Sequence, residues 1–128
     1  MEIRWKVTDP LGNEVFLGEE NFCYHIVGQH DSKDADVRKS LEDRVKYSLE
    51  NPRFIVKAPN FEGRRVYLDL VDIFNADSTS IRPIFIVVEA NNEVVTWFAK
   101  RTVNVNIEEI GGVIYDKRIH HLQIQRKI

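Results

Sequence analysis

Two histidines near the start of the chain, His25 and His30, are the side chains best suited to moving a proton. An imidazole changes charge near neutral pH, so it can act as general acid or base. Both fall in a stretch with helical periodicity, where Phe22, Cys23, Ile26 and Val27 share one side. On a helical wheel with Phe22 at zero, Ile26 lies at about 40°, Cys23 at about 100° and Val27 at about 140°. His25 then falls at about −60°, on the border of the apolar arc, and His30 near 80°, inside it. A border imidazole can face a cleft between helix and sheet, or it can hydrogen-bond to backbone at an interface. His30 has a bland alternative as well, since an imidazolium at a helix C-terminus complements the dipole there.

Other chemistries lack their residues. The chain has no GxGxxG or GxxxxGK[ST] loop for phosphates, no CxxC or HExxH metal spacing and no GxSxG elbow. His120-His121 stands in a polar tail and reads as a solvated pair, while Cys23 lies within the apolar arc and reads as a small core residue. Neither a metal nor a cofactor is expected.

Composition sets the frame for these residues. With 128 residues, 43% hydrophobic and 30% charged, the chain has the size and makeup of one folded domain and not of a disordered segment. The net charge of −2 does not mark a nucleic-acid binder, but it is unevenly spread. Residues 1–50 carry 7 basic and 11 acidic side chains, and residues 51–128 carry 11 and 9, so an anionic ligand is steered to the second half. No apolar run approaches the ~20 residues that span a bilayer. The start, Met1-Glu2-Ile3-Arg4-Trp5, lacks a basic region followed by an apolar core, so no secretory signal is expected. A single cysteine predicts a reducing, cytoplasmic compartment.

The elements that must carry the site follow from changes of period. Ile3, Trp5 and Val7 alternate with polar residues as in a half-buried strand. Asp9-Pro10-Leu11-Gly12 has the residues of a type I turn, and Glu14–Leu17 returns as a second strand. A helix is expected over 19–30 and a second over 35–50, with Asp34 as its cap, Val37, Leu41, Val45 and Leu49 as its buried stripe, and Glu42 paired to Lys46. Asn51-Pro52 stops it.

Strands follow at 54–57 and 64–70, the latter with Val66, Leu68 and Leu70 on one face and Tyr67 and Asp69 on the other. Residues 75–80 are polar and read as a loop. Ile84–Val88 is apolar on both faces and predicts a central strand, joined through Asn91-Asn92, compatible with a type I′ turn, to a strand at 94–99. Weaker strand patterns lie at 103–107 and 113–115.

Taken in order, these segments resemble a known superfamily. The run Trp5-Lys6-Val7-Thr8-Asp9-Pro10-Leu11-Gly12-Asn13-Glu14-Val15 leads to a helix with His25-Ile26 and His30. A second helix ends Leu49-Glu50-Asn51-Pro52 before Ile55. Tyr67 lies in a later strand, then come Phe85-Ile86-Val87-Val88-Glu89 and Val94-Val95-Thr96-Trp97-Phe98. Over residues 3–101 the set resembles the phage-type branch of the barnase, EndoU, colicin and RelE-like nucleases. The resemblance implies an α+β fold in which an N-terminal β-hairpin and two helices pack on a mainly antiparallel four-stranded sheet, with 102–128 as a C-terminal extension. It also implies metal-independent cleavage of RNA, with His25 as acid or base, His30 at the second histidine position and Thr96 facing the cleft. His30 is followed by Asp31 where the family pattern has Pro-Glu.

Cleavage by the RNA 2′-hydroxyl needs proton transfer and a cation to steady the phosphorane. Lys57, Arg64, Arg65 and Arg101, at strand ends or edges, are candidates for the cation, although strand-edge charges are commonly just solvated. Tyr67 and Trp97 can stack on bases or can belong to the core. The expectation is therefore a metal-independent endoribonuclease or toxin-like RNase domain, with RNA as substrate and an antitoxin or immunity protein as a further partner. The alternative is a non-catalytic module on the same scaffold that binds RNA or a protein.

Overall fold

In the computed structural model, residues 1–28, 31–75, 78–100 and 112–119 are described. The alternating N-terminal segment forms a hairpin of β1 (Ile3–Thr8) and β2 (Glu14–Gly18), a two-stranded sheet of its own. Its turn closes through Gly12 N–H donating to Asp9 O at 3.1 Å, with Gly12 at φ +88°, where a β-carbon is strained.

The expected first helix is short and unusual. Three α-helical residues, Glu19–Asn21 (α1), run directly into a π-helical segment, Phe22–Val27. Gly28 follows it, and a β-carbon there would collide with the Cys23 carbonyl oxygen. His30 lies outside the described residues.

The single long helix expected over 35–50 is two helices. The first is α2 (Ser32–Ser40) and the second α3 (Glu42–Glu50), with Leu41 between them at φ −88° and ψ −4°. Leu41 N–H donates to Arg38 O, a tightened turn that tilts one helix against the next. Leu41, Val45 and Leu49 are buried, but Val37 is exposed, because the change of direction rotates it off the sheet. The cap is Asp31, whose carboxylate accepts from Asp34 N–H at 2.9 Å; Asp34 stands one turn inside.

The chain is α+β, and its main sheet has five antiparallel strands where four were expected. The order is β6 (Val94–Ala99), β5 (Ser78–Val88), β4 (Arg65–Asn75), β3 (Phe54–Lys57), β7 (Val113–Asp116). The added strand, β7, pairs with β3 and comes from the segment beyond residue 101. Of the polar residues read as a loop at 75–80, Asn75 instead ends β4 and residues 78–80 begin β5, with Asn75 paired to Ser78; residues 76 and 77 lie outside the described ones. The strand pattern at 103–107 lies outside the described residues.

β5 is an interior strand, paired on both sides by β4 and β6 as its apolar run predicts, and both sheet faces are packed. Tyr67, Ile84, Ile86 and Trp97 join the helices on one face, while Val56, Leu68 and Phe85 cluster on the other. The β5–β6 hairpin turns through three residues, not two. Asn92 N–H donates to Glu89 O, and Asn92 alone takes a positive φ, +73°. Among the described residues no helix is long and apolar enough to cross a membrane.

One charged cluster fastens the N-terminal hairpin to the helices. Arg4 grips both oxygens of Glu42, at 2.5 and 3.1 Å, and also Glu19, while Trp5 Nε1 donates to Glu42 at 3.0 Å. Glu42 is thus taken by β1 and not by Lys46, which approaches Asp43 instead. The Arg4 hydrogen bond, and secondarily the Trp5 one, hold the Glu42 carboxyl below its ordinary range. A depressed carboxylate stabilises the fold above its unfolded value and ceases to do so as pH falls through its folded value. The melting-temperature difference between the native chain and Glu42→Gln should therefore be largest near neutral pH and shrink in acid. A difference constant across the acid limb would show that the pair contributes nothing.

Candidate functional site

β6, at one edge of the main sheet, gathers the residues closest to chemistry. Along its outer side Asn21 donates from Nδ2 to Val94 O at 3.2 Å and to Glu93 at 2.9 Å, which seats the π-helical segment against the strand. Phe22 packs on Trp97 with ring centroids 6.2 Å apart, and Ile26 is fully buried. His25, four residues after Asn21, points outward and is exposed. It lines a hollow of about 490 Å³ together with Gly18, Glu20, Asn21, Tyr24 and Glu93. The wheel placed His25 at the border of the apolar arc, and that border faces solvent.

Thr96 stands further along β6 and has a partner that sequence reasoning missed. Arg38, on α2, donates from Nη1 to Thr96 Oγ1 at 3.1 Å and to Trp97 O at 2.5 Å, while its Nε meets Asp34 at 3.2 Å. Trp97 Nε1 donates back to Arg38 O at 2.9 Å, so helix and strand are tied reciprocally. Arg38 Nη2 has no partner among the described residues. Thr96, having accepted from Arg38, keeps its own O–H free to donate. Nothing in the spacing of Arg38 separates it from an ordinary solvated helix residue; only the fold brings it to Thr96.

The other expected cations lie elsewhere. Lys57, Arg64 and Arg65 line a second concavity of about 540 Å³ around the β3–β4 turn, with exposed Phe61 and Ile114. Arg64 is paired with Glu89 and lies over the Phe61 ring at 3.9 Å. Arg65 Nη2 donates to Asn92 Oδ1 at 2.7 Å and to the Tyr67 hydroxyl at 3.2 Å. Arg101 lies outside the described residues. His25 and the Lys57–Arg64 turn therefore open onto different hollows.

Tyr67 is fully buried, as is Trp97, so neither ring offers a face to a base. The Tyr67 hydroxyl donates to Asp9, whose nearly buried carboxylate also accepts from the backbone N–H of Leu11 and Asn13. Burial first, and then this bond to Asp9, push the Tyr67 phenol above its ordinary value. These residues lock the N-terminal turn onto the sheet. Among the described residues no three histidine, cysteine, aspartate or glutamate side chains are grouped to hold a metal ion. No protein-family model matches the chain, and no curated protein matches it.

Proposed function

We propose that this chain is a metal-independent endoribonuclease domain of the toxin-like kind, on a barnase/RelE-like core. What carries the reading is the arrangement along the β6 edge. An exposed histidine rides a π-helical segment, a geometry that is rare and concentrates at functional positions, beside a strand that presents an arginine–threonine pair. The ordered resemblance of residues 3–101 to such nucleases supports the same assignment.

In this reading the RNA 2′-oxygen forms a bond to phosphorus while the bond from phosphorus to the 5′-oxygen breaks. One proton leaves the 2′-hydroxyl and one reaches the departing 5′-oxygen. His25 transfers one of them, with His30 as the second histidine. Arg38 and Thr96 donate to the phosphate oxygens as negative charge grows on them. The products are a 2′,3′-cyclic phosphate and a free 5′-hydroxyl. A hydroxyl nucleophile, a proton carrier and a fixed cation suffice for this chemistry. The chain should cut RNA in EDTA, leave a cyclic phosphate and spare DNA, which lacks the attacking group. Product analysis of an end-labelled oligonucleotide checks all three, and DNA cut as readily as RNA would end the proposal.

A second reading keeps the scaffold without the reaction. The hollow beside His25 carries Glu20 and Glu93, which repel phosphate, and the turn with Lys57 and Arg64 opens onto another hollow. Those observations favour a non-catalytic module that binds RNA or a protein. Binding of RNA with no trace of cleavage is the result that selects it.

A further inference from the structure

The opposite side of the helix layer holds a second arginine cluster, built around a carboxylate that the β6 site does not use. Asp69, on β4, is 5% exposed. Its Oδ2 accepts from Ser48 Oγ at 2.7 Å and from Arg44 Nη2 at 3.2 Å; its Oδ1 accepts from Leu70 N–H at 2.9 Å and lies 3.3 Å from Arg53 Nε. Arg44 Nη2 also donates to Leu70 O at 3.0 Å, and the guanidinium lies over the Tyr47 ring at 4.8 Å.

Two features exceed what a buried carboxylate requires. One guanidinium would already balance its charge, yet two arginines converge on it, which leaves the Asp69–Arg44–Arg53 group with one positive charge in excess. Moreover, each arginine is pinned by one edge only. Arg44 keeps Nε and Nη1, and Arg53 keeps both terminal nitrogens, without partners among the described residues. Their side chains are 41% and 57% exposed. The forks are thus oriented in advance with donors turned to solvent, so a ligand that takes them loses little further entropy. Tyr47, half-exposed beside them, offers a flat ring. Lys117, an exposed residue, follows next in space along the backbone, its N–H donating to Arg53 O.

We propose that Arg44, Arg53 and Tyr47 form a phosphate-and-base subsite for a single RNA strand, separate from the β6 edge. The chemistry fits: guanidinium forks match phosphate oxygens, and an exposed aromatic accepts a base in stacking. The position fits too. Asp69, Ile84 and Ala99 are cross-strand neighbours on β4, β5 and β6, so the cluster stands about 10 Å across the sheet from the end of the Thr96 strand, two strand spacings away. The assignment rests on the RNA reading above but not on catalysis.

The test is fluorescence anisotropy of a labelled 2′-O-methyl RNA oligonucleotide, which binds but cannot be cut, on the full chain across a salt series. Arg44→Gln and Arg53→Gln should each weaken binding by about tenfold, the worth of a charged hydrogen bond. Together they should flatten the dependence of log K on log salt by about 1.4, two single-strand phosphate contacts. Because these changes strip partners from a buried carboxylate, Tyr47→Ala, which leaves every hydrogen bond to Asp69 in place and removes only the ring beneath Arg44, is measured in parallel. It should weaken binding by several-fold at an unchanged salt slope. Affinity and slope indifferent to all three variants would overturn the subsite. If such a chain still cuts RNA, the nuclease reading survives without it. A chain that binds through these residues and never cuts keeps the subsite and loses the nuclease. A native chain that neither binds nor cuts removes both.

Discussion

Replacing His25 with alanine should slow RNA cleavage by about 10²–10⁴-fold, the usual worth of a positioned acid–base group, and leave the fold intact. Both halves of that expectation come from where the side chain stands. The π-helical segment is held by Phe22 and Ile26, which are buried, and by Asn21, which bonds to Val94 O and Glu93. His25 is exposed and contributes to none of these contacts. Single-turnover cleavage and a thermal melt on the same preparation separate the two effects. A retained fold with cleavage near the native rate would leave the enzyme and discard this histidine as its acid or base. A lost fold would mean that His25 is structural after all. Growth of a bacterial host gives an independent readout, since arrest by the native chain should be relieved by His25→Ala.

How far the sequence discloses this arrangement depends on the kind of signal each residue emits. Alternation at Ile3–Val7 and 94–99, the doubly apolar run at Ile84–Val88 and the stop at Pro52 are local, so each element could be read where it stands. The break at Leu41 could not. Val37, Leu41, Val45 and Leu49 keep a spacing of four straight across it, and only exposure of Val37 betrays the turn. Spacing alone is equally blind to the π-helical segment, because Phe22 and Ile26 face the core in either helix type. Asn75 and Ser78 misled because polarity was taken for a loop, when polar residues can end one strand and begin the next with their backbones still paired. Burial decided the roles of Tyr67 and Trp97, since an aromatic in an alternating strand reads the same on either face.

Cations are the hardest to assign from sequence. Lys57 and Arg64 stood out because they flank strands, yet they share a turn of their own. Arg38 and Arg44 look like solvated helix charges until α2 and α3 are laid on the sheet, where one meets Thr96 and the other Asp69. Long-range partners of this kind leave no periodic trace. Asp9 shows the same limit, being legible as a turn residue but not as the acceptor for Tyr67, 58 positions later.

Trp97→Ala should cost about 3–5 kcal/mol of stability, the range for removing a large buried aromatic. Trp97 is fully buried, and three losses would coincide there. The indole packs on Phe22, so its removal leaves a cavity beneath the segment that carries His25. Its Nε1 donates to Arg38 O, so truncation also removes one of the strand's two side-chain ties to α2. Arg38 Nη1 reaches Thr96 and the Trp97 backbone, and the arginine would then rest on a loosened strand. Denaturant unfolding measures the stability loss directly. Trp97→Phe sorts its origin, because it keeps most of the apolar volume and loses only the donor. That variant should retain most of the stability if the cavity dominates, whereas equal losses in the two would assign the effect to the hydrogen bond. A midpoint unchanged by alanine would mean that β6 does not pack on the helices, and the His25 and Arg38–Thr96 arrangement would fall with it.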